Sequence, residues 1–419
     1  MNTARFLFCL ILPLFALSCT KSGSKEPVFI FGSFRGEEQK RFEEIAKAFT
    51  RKTGYKVVYD RCPDFEVRIP AKIRSGEDID IAALPHIQTL ARFAEAGYIR
   101  ALPDSIVSAI EGNYAPAWKD VASYKGRVYG VFHRANAKSF VWYNKKEWER
   151  RGYHVPQTLQ ELQELEDKMT RDGIFPWSIG FESGAASGWP GTDWLEDMLL
   201  RTASPAIYDC WTAQSIAMDA APVREALERC GDIFLNEKYV YGGREGILST
   251  NYGDSIRPLF EEEPKAMMNK QGYGAIAFLS EDVREKLAEN VGVFALPGMT
   301  REPAPLLLES GDCFVACTDK PGVEEFLLFL TTWEACEPWA KKGGAVFPHR
   351  KQAFETYRNN IEREMAQILA GADTVRFDAS EQMPSETGSC TLWQAMLDYA
   401  SGTVSAEECL KNSSEKSSF

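Results

Sequence analysis

A short segment with two tryptophans carries the first candidate binding chemistry of this sequence. The stretch GWPGTDWLEDMLLR, residues 188–201, places Trp189 and Trp194 five positions apart around a Pro-Gly-Thr-Asp turn. Asp193 followed three residues later by Glu196 matches a helix-capping pattern, which predicts a helix that starts at Trp194. Trp194 then falls on the core-facing side of that helix, whereas Trp189 lies in the preceding turn and is a candidate for stacking on a flat ligand.

Asp193 and the two residues before it have competing roles. The Asp193 carboxylate can cap the helix or accept hydrogen bonds from a hydroxyl-rich ligand, and the pattern alone does not separate these roles. Thr192 and Gly191 are lesser candidates, because backbone N–H groups at a helix start can donate outward.

A second polar segment is VFHRANAKSF, residues 131–140, which has many hydrogen-bonding side chains for a strand-like run. Strand alternation sends His133 to one side and Arg134 and Asn136 to the other. Arg134 and Asn136 are therefore candidate polar contacts for a ligand, His133 is a further candidate and Phe132 offers another flat surface. The alternative is a solvated or ion-paired face.

Loops that follow predicted strands supply the remaining candidates from the first part of the chain. The loop GSFRGEEQ offers Ser33, Arg35 and Glu37, although acidic side chains in the first turn of a helix also serve its capping. Pro85 and His86 follow the third predicted strand in the same way.

The elements that must position these side chains alternate between strand-like and helix-like runs. VFIFGSF, YKVVYD and DIDIAAL read as the first three strands. Between them, Phe42, Ile45, Ala46 and Phe49 have the spacing of one helix face, and that helix ends at Gly54. EVRIPAKIRSG reads as a broken helix and IQTLARFAEAG as a further helix. Strands that alternate with helices predict βαβ units and a parallel sheet covered on both faces.

A second round of elements follows. SFVWYNK and VGVFALPG read as strands, and KKEWERRG, LQELQELEDKMTRDG and VREALERCGDIFLN as helices. The stretch PGVEEFLLFLTTWEACEPWAKKG predicts helix in two pieces broken near Pro338. The Ser-rich end after Glu407 predicts disorder, and we assign residues 408–419 to a disordered tail.

The first residues have the composition of an export signal. An apolar run of about 13 residues, FLFCLILPLFALS, is too short for a membrane-spanning helix and fits the core of a signal peptide over residues 1–18. Small residues before Cys19 resemble a lipoprotein cleavage box, which predicts lipidation of Cys19 and a polar tether through residue 27.

The charge and the metal-ligating residues limit the function classes. A net charge of −12 argues against nucleic acid and anionic lipid as main partners. Four scattered histidines and the lack of a CxxC pair predict no metal site. The eight cysteines beyond Cys19 allow many pairings, among which Cys210 with Cys230 and Cys390 with Cys409 are local possibilities. These eight are Cys62, Cys210, Cys230, Cys313, Cys317, Cys336, Cys390 and Cys409.

Read in order, several segments resemble the solute-binding proteins of bacterial ABC importers, in particular the carbohydrate-binding group with maltose-type and α-glucoside-type receptors. The segments that carry the resemblance are KRFEEIAKAFTRKTGYKVVY, RSGEDIDIAAL, AGYIRALPD, GRVYGVFHRANAKSFVWYNKKEWERRGYHVPQTLQEL, GWPGTDW, GGREGILSTNYGDSIRPLF, GDCFVACTDKPGVEEFLLFL and GGAVFPHR. Each motif is weak alone, but their order extends over nearly the whole chain after the leader.

The resemblance implies a two-lobe α/β fold of the periplasmic-binding-protein type, with ligand in the cleft between the lobes. It places lobe one at residues 28–133 with 292–333, and lobe two at residues 138–290 with 337–407. The implied hinge crossings lie near residues 132–138, 291–297 and 332–339. It also adds Tyr273 and the pair Gly311 and Asp312 as ligand contacts.

The implied function is a lipid-anchored, monomeric sugar receptor that delivers a neutral saccharide to a membrane permease, without enzyme activity or cofactor. A secreted glycoside hydrolase with two carboxylates is an alternative of a different class. The same fold with an anionic ligand such as a sugar phosphate on Arg134 and Lys138 is another, and a surface adhesin derived from such a receptor is a third.

Overall fold

The structure is a computed structural model that describes residues 25–415, with the exception of residues 63, 64, 86, 88, 302, 303 and 385. The predicted signal peptide, Cys19 with most of its tether, and residues 416–419 lie outside the described residues. In the described part of the chain, no helix has both the length and the apolar character that crossing a membrane requires.

Strands and helices alternate along the chain, as the periodicity predicts. The strands are β1 (Val28–Gly32), β2 (Val57–Arg61), β3 (Ile81–Leu84), β4 (Ser123–Tyr124), β5 (Arg127–Val128), β6 (Gly130–Ala135), β7 (Phe140–Asn144), β8 (Phe175–Trp177), β9 (Ala266–Lys270), β10 (Val291–Ala295), β11 (Leu306–Glu309), β12 (Gly311–Ala316) and β13 (Thr374–Phe377).

The helices connect these strands along the chain. They are α1 (Gly36–Thr53), α2 (Phe65–Ser75), α3 (Leu90–Glu95), α4 (Asp104–Asn113), α5 (Pro116–Val121), α6 (Lys145–Arg151), α7 (Leu159–Arg171), α8 (Trp189–Thr202), α9 (Pro205–Thr212), α10 (Ala221–Phe234), α11 (Gly243–Ser249), α12 (Glu281–Glu285), α13 (Leu287–Asn290), α14 (Pro321–Leu330), α15 (Trp333–Lys342), α16 (Asn360–Gly371), α17 (Ala379–Gln382), α18 (Trp393–Ala400) and α19 (Ala406–Glu415), with a π-helical segment at Glu386–Leu392.

The first helix shows how well a strong amphipathic pattern predicts local structure. The four apolar residues Phe42, Ile45, Ala46 and Phe49 are all buried on one face of α1. Gly54 ends the helix with a φ of 81°, a left-handed conformation that glycine adopts without steric cost. The predicted helix and its end are confirmed.

The first lobe is built around a five-stranded sheet in the order β2-β1-β3-β12-β6. Strand β1 runs parallel to β2 and β3, whereas β12 runs antiparallel to both β3 and β6. The prediction of a parallel sheet is therefore correct for β2, β1 and β3 but wrong for the whole sheet, because β12 enters from the other lobe. The carboxyl ends of β1, β3 and β6 and the start of β12 consequently share one edge.

The second lobe contains a four-stranded sheet in the order β10-β7-β9-β8. Strand β7 is antiparallel to β10 and β9, and β8 is parallel to β9. The carboxyl ends of β8, β9 and β10 therefore lie at the edge where β7 begins. Strand β7 follows β6 along the chain, so this edge adjoins the corresponding edge of the first sheet.

Two hydrophobic clusters stabilise the fold. One surrounds the five-stranded sheet and continues onto one face of the four-stranded sheet, where Trp142 and Val293 belong to it. The other covers the opposite face of the second sheet, where Val141 and Phe294 point in the other direction. Alternate residues of one strand thus pack into different cores, as the two-residue period of a strand requires.

The lobes meet at a set of crossing segments. Residues 136–139 connect β6 with β7 and bond to the segment around β11: Asn136 N–H donates to Ser310 O at 2.9 Å and Lys138 N–H to Leu308 O at 2.7 Å. Strand β11 pairs with β13. Leu307 packs in the first cluster and Leu308 in the second, so β11 lies between the two lobes.

The lobe boundaries differ from the expected ones in two places. Strand β10 pairs with β7 in the second sheet, so residues 291–295 do not return to lobe one. Helix α15 packs against α1 on the first lobe, where the Trp339 ring lies 5.7 Å from that of Phe34. The crossing expected at residues 332–339 therefore comes later in the chain.

Two local predictions near the C-terminus are wrong as well. The expected break near Pro338 falls at residues 331–332, between α14 and α15, and Pro338 is accommodated inside α15. Residues 408–415 are not a disordered tail but part of α19, where Cys409 and Leu410 are buried against the second core. Apolar contacts of Cys409 and Leu410 hold this segment, and the composition of the segment does not reveal them.

Neither local disulfide pairing forms. Cys210, Cys230, Cys390 and Cys409 are free thiols in the structure.

Candidate functional site

The candidate site lies where the edges of the two sheets adjoin. The first sheet contributes Arg134 from the end of β6 and Asp312 from the start of β12, together with the loop before α1. The second lobe contributes Lys138 just before β7, the start of α8, and α17. These segments are far apart in sequence, and the sheet topology brings them together.

Arg134 is the centre of what we call the guanidinium cluster, formed by Arg134, Glu38 and Asp312. Its Nε–H donates to Asp312 Oδ2 and its Nη1–H to Glu38 Oε1, each at 2.6 Å. Its guanidinium carbon lies 4.8 Å from the Phe34 ring centroid and 5.0 Å from that of Trp339. Two acids and two aromatic rings thereby hold the guanidinium in one orientation.

The positive charge of Arg134 is paired with the acids of the guanidinium cluster. Burial opposes the charge of Arg134, but Asp312 and Glu38 outweigh that effect and raise its pKa. Burial also raises the pKa of Asp312, an effect that Arg134 only partly offsets. Arg134 stays charged while its acids compensate it, so an incoming anion meets no unpaired cation here.

Lys138 is the centre of a second group, the ammonium cluster, formed by Lys138, Asp193 and Asp378. Its Nζ donates to Asp193 Oδ1 at 2.9 Å and to Asp378 Oδ2. Glu381 Oε1 lies 3.8 Å from the same nitrogen. Burial raises the pKa of Asp193 to about 7 despite Lys138, whereas Lys138 outweighs burial at Asp378 and lowers the pKa of that residue.

The three carboxyl groups of Asp193, Glu196 and Asp378 lie close enough to suggest a metal site. Their nearest oxygens lie within 4.8 Å of one another, and all three residues are buried. Lys138 already donates to Asp193 and Asp378, and Glu196 accepts the backbone N–H groups of Ala379 at 2.9 Å and Ser380 at 3.0 Å. The ammonium group occupies the position that a cation would take, and we assign no metal to this cluster.

Trp189 lies next to the ammonium cluster as the first residue of α8. Its ring centroid is 5.0 Å from that of Tyr252 at an interplanar angle of 67°, and Lys138 Nζ lies 5.6 Å from the Trp189 ring. Phe278 extends this aromatic group, with its centroid 5.3 Å from Tyr252. Trp189 is half-buried, so part of its ring remains accessible.

The start of α8 corrects the expected capping pattern. The helix begins at Trp189 rather than Trp194, because Gly188 adopts a φ of 102° and Pro190 stands in the first turn. A Cβ at residue 188 would lie 2.2 Å from Trp393 O, so only glycine fits there. Asp193 is consequently inside the helix and pairs with Lys138.

The other predictions for this helix have mixed outcomes. Trp194 is buried against the rings of Trp177 and Phe234, so its core assignment is confirmed. Thr192 and Gly191 are buried and do not face outward: Thr192 Oγ1 donates to Trp189 O at 2.9 Å.

Of the remaining candidates, Asn136 and Tyr273 adjoin the two clusters. Asn136 is half-buried, and its Nδ2–H donates to Ser310 Oγ at 3.3 Å. Tyr273 is buried and donates its hydroxyl to Glu362 Oε1 at 2.6 Å. Gly311 begins β12 beside Asp312, where a Cβ would lie 2.3 Å from Arg134 O. These positions belong to the same region as Arg134.

Phe132 and His133 are both buried in the core of the first lobe. The Phe132 ring packs 5.1 Å from Trp118 and 5.0 Å from Phe377. His133 is fully buried, with Nδ1 4.0 Å from Cys336 Sγ, and burial holds its pKa well below its usual value. Alternation alone did not reveal that the strand has cores on both sides.

The candidates from the loops after β1 and β3 are exposed or half-buried, and one of them lies outside the described residues. Arg35 precedes α1 and is exposed without capping it, and Glu37 is exposed and pairs with Lys40 at 2.7 Å. Neither side chain belongs to the two clusters. Ser33 and Pro85 are half-buried, and His86 lies outside the described residues.

Sequence reasoning missed Glu38, Tyr252, Asp378 and Glu381. Asp378 directly follows the run TVRF, which is β13, and an acid after a buried strand is a signal that was available. Glu38 stands one residue from the predicted Glu37, and only the phase of the helix distinguishes them. Glu381 and Tyr252 carry no comparable local signal.

Comparison with known proteins identifies the family. A family model described as bacterial extracellular solute-binding protein matches residues 35–334. The Osmoprotective compounds-binding protein GgtB of Synechocystis sp. is 38% identical over 404 residues, which cover 94% of each protein. The Alpha-glucosides-binding periplasmic protein AglE of Rhizobium meliloti is 33% identical over 387 residues, 90% of this chain and 84% of AglE.

Solved structures support the fold. The bacterial solute receptor AcbH matches with a TM-score of 0.77 at 18% identity, over 94% of this chain and 98% of AcbH. The two-lobe α/β fold and the prediction of a solute-binding component of an ABC importer are confirmed. The chain belongs to the family of bacterial extracellular solute-binding proteins.

Proposed function

We propose that the chain binds a neutral saccharide, an α-glucoside or an oligosaccharide, between its lobes and delivers it to the permease of an ABC importer. The observation that carries the proposal is a half-buried Trp189 beside the ion-paired ammonium cluster. A sugar presents apolar C–H faces and a rim of hydroxyls, so it needs a flat aromatic surface next to oriented polar groups. The names of GgtB and AglE, which refer to osmoprotective compounds and α-glucosides, support this ligand class.

The charge of the region favours a neutral ligand over an anion. The cations of the two clusters, Arg134 and Lys138, are each paired with two carboxylates. A sugar phosphate would have to displace acids from both cations, at a considerable electrostatic cost.

The carboxyl arrangement also favours binding over hydrolysis. A glycoside hydrolase needs two carboxyl groups on either side of the scissile bond, with one of them free to act as nucleophile or base. Here Asp193 and Asp378 pair with the same lysine, and Glu196 accepts backbone N–H groups of α17. These three acids are engaged in holding structure.

Isothermal titration against a panel of α-glucosides and oligosaccharides tests the proposal. Substituting Trp189 by Ala removes the flat surface, and we expect affinity for the bound sugar to fall roughly tenfold or more. Trp189→Phe should retain part of the affinity. Trp333→Ala, which removes a half-buried tryptophan on the first lobe, is the matched control and should leave affinity unchanged.

The outcomes separate the alternatives. Lack of heat with every neutral sugar would contradict the proposal. Binding of sugar phosphates that weakens steeply with salt would favour the anionic ligand. Release of chromophore from a nitrophenyl glycoside would favour the hydrolase.

We propose that Cys19 is lipidated and anchors the receptor at the extracytoplasmic face of the membrane. The small residues before Cys19 and the apolar run that precedes them support this. Cys19→Ser should move the protein from the membrane fraction to the soluble fraction, and Cys9→Ser should not. An unchanged distribution in Cys19→Ser would contradict anchoring through this residue.

A further inference from the structure

Glu381 differs from the acids of the two clusters because, among the described residues, its side chain forms no short hydrogen bond with a cation. The side chains of Asp193, Asp312 and Asp378 are each less than 10% exposed and each bonds to a cation. Glu38 is 46% exposed, but one of its oxygens accepts from Arg134. The Glu381 side chain is 26% exposed, and its nearest cation, Lys138 Nζ, lies 3.8 Å away.

The backbone that carries Glu381 is held firmly. The Asp378 side chain accepts the N–H of Glu381 at 2.9 Å, which caps the short helix α17. Glu196 accepts the N–H groups of Ala379 and Ser380. Two buried carboxylates therefore fix the helix start, and the Glu381 side chain projects from it without serving the helix itself.

The surroundings of Glu381 suit a group that both donates and accepts hydrogen bonds. Burial, followed by the nearby Asp378, raises the pKa of Glu381 to about 8, although Lys138 works in the opposite direction. The charges of Asp193 and Asp312 add to the upward shift. At neutral pH the carboxyl is mainly protonated, and a protonated carboxyl has the same donor and acceptor capacity as a sugar hydroxyl.

Lys138 links Glu381 to the aromatic surface. Its ammonium nitrogen is 3.8 Å from Glu381 Oε1 and 5.6 Å from the Trp189 ring centroid. Glu381 and the Trp189 ring are therefore both close to the same ammonium group. Lys138 itself donates to Asp193 and Asp378, and Glu381 is an available hydrogen-bonding group beside it.

We propose that Glu381 is a specificity-determining residue that hydrogen-bonds one hydroxyl of the sugar ring stacked on Trp189. The inference rests on the proposed saccharide-binding function. It assigns to this residue the discrimination between a sugar that carries the contacted hydroxyl and one that lacks it. Such discrimination follows because a buried polar group left without its partner is costly.

Titration of the wild type, Glu381→Ala and Glu381→Gln with the bound glycoside gives the first test. We expect Glu381→Ala to weaken binding roughly 10- to 100-fold, as the loss of one strong hydrogen bond in a partly buried site predicts. Glu381→Gln keeps a donor and an acceptor and should weaken binding less. The matched control is Glu263→Gln, whose carboxylate also lies 3.8 Å from a lysine nitrogen but whose side chain is 91% exposed.

A series of monodeoxy analogues of the same glycoside gives the second test, which a merely structural role would not satisfy. One analogue lacks the contacted hydroxyl. The wild type should bind this analogue more weakly than it binds the parent sugar, whereas Glu381→Ala should bind the analogue and the parent sugar with about equal affinity. The other analogues should lose affinity equally in both proteins.

The possible results are distinct. If the wild type binds no sugar, the proposed function fails before this inference is tested. If the wild type binds but Glu381→Ala keeps its affinity, or if every deoxy analogue loses affinity equally in both proteins, Glu381 does not contact the ligand and the inference is overturned. Thermal unfolding of each variant shows whether lost affinity reflects a lost fold.

Discussion

The guanidinium and ammonium clusters are centred on residues only four positions apart, Arg134 at the end of β6 and Lys138 in the crossing segment, yet they differ in burial. Arg134 is 20% exposed, and its partner Glu38 is 46% exposed. The Lys138 side chain is 8% exposed, and those of its partners Asp193 and Asp378 are 9% and 3% exposed. A buried ion pair is costly to break, whereas a partly solvated one can exchange partners with water or ligand. We infer that the ammonium cluster holds structure and the guanidinium cluster responds to ligand.

The strongest way to break this comparison is to remove the buried cation. Lys138→Met leaves Asp193 and Asp378 buried without their ammonium group, and we expect the free energy of unfolding to fall by about 3 to 5 kcal/mol. Urea unfolding followed by circular dichroism at pH 7 measures the change. Lys47→Met, which breaks an exposed pair with Glu44, should cost less than about 1 kcal/mol.

A loss in Lys138→Met no larger than that in Lys47→Met would contradict a structural role for the ammonium cluster.

Glu166 is a buried acid whose closest described polar partner is a tryptophan N–H, so it shows the effect of burial on a carboxyl group that no cation compensates. Burial raises the pKa of Glu166 to about 8, even though Trp177 Nε1–H donates to its Oε1 at 2.6 Å. Between about pH 4.5 and pH 8, the folded chain therefore holds a proton on Glu166 that the unfolded chain has already released. The stability that depends on this proton is present at low pH and is lost as the pH rises through that window.

Glu166→Gln does not titrate and should remove this part of the pH dependence. From pH 5 to pH 8, we expect the wild type to lose roughly 2 to 4 kcal/mol of unfolding free energy relative to the variant. Urea unfolding at both pH values measures the difference. Glu164→Gln, an exposed position on the same helix, should behave like the wild type, and a parallel pH dependence in Glu166→Gln would contradict the assignment.

The fold could be predicted from the sequence where the pattern is local. The spacing of Phe42, Ile45, Ala46 and Phe49 defined α1, and its end at Gly54 followed from the left-handed conformation that glycine favours. The reversed direction of β12 and the place of β10 in the second sheet could not be predicted in this way, because strand pairing joins residues distant in sequence.

The candidate site was predicted only in part, for the same physical reason. Arg134 was a candidate from its strand-like run, Asp193 from the segment at the start of α8 and Asp312 from the family resemblance, but the ion pairs that these residues form were not predicted. Arg134 and Asp312 are 178 positions apart, and Lys138 and Asp378 are 240 apart. Asp193 was expected to cap the helix or to contact a ligand, because the sequence near it contains no sign of Lys138.

A conservative change to the guanidinium cluster should act on binding more than on stability. Arg134→Lys keeps the charge but loses the two-pronged bond to Asp312 and Glu38 and the contact with the Phe34 ring. We expect the affinity for the bound sugar to fall roughly tenfold, which corresponds to about 1.4 kcal/mol. Isothermal titration measures the affinity, and urea unfolding measures the stability.

A stability loss in Arg134→Lys as large as that in Lys138→Met, with unchanged affinity, would show that both clusters hold structure and would remove the distinction between them.

The smallest expected effects come from two neighbouring acids of α1. Adjacent residues on a helix point in directions roughly 100° apart, so only one of Glu37 and Glu38 can face Arg134. Glu38 accepts from Arg134 at 2.6 Å, whereas Glu37 pairs with Lys40 on the exposed side. Glu38→Gln replaces a charged acceptor by a neutral one, and we expect affinity to fall roughly threefold to fivefold. Glu37→Gln should leave affinity within roughly twofold of the wild type, because exposed pairs contribute little. Equal effects of the two substitutions, measured by isothermal titration in low salt, would mean that Glu38 acts through the general charge of the surface and not through its bond to Arg134.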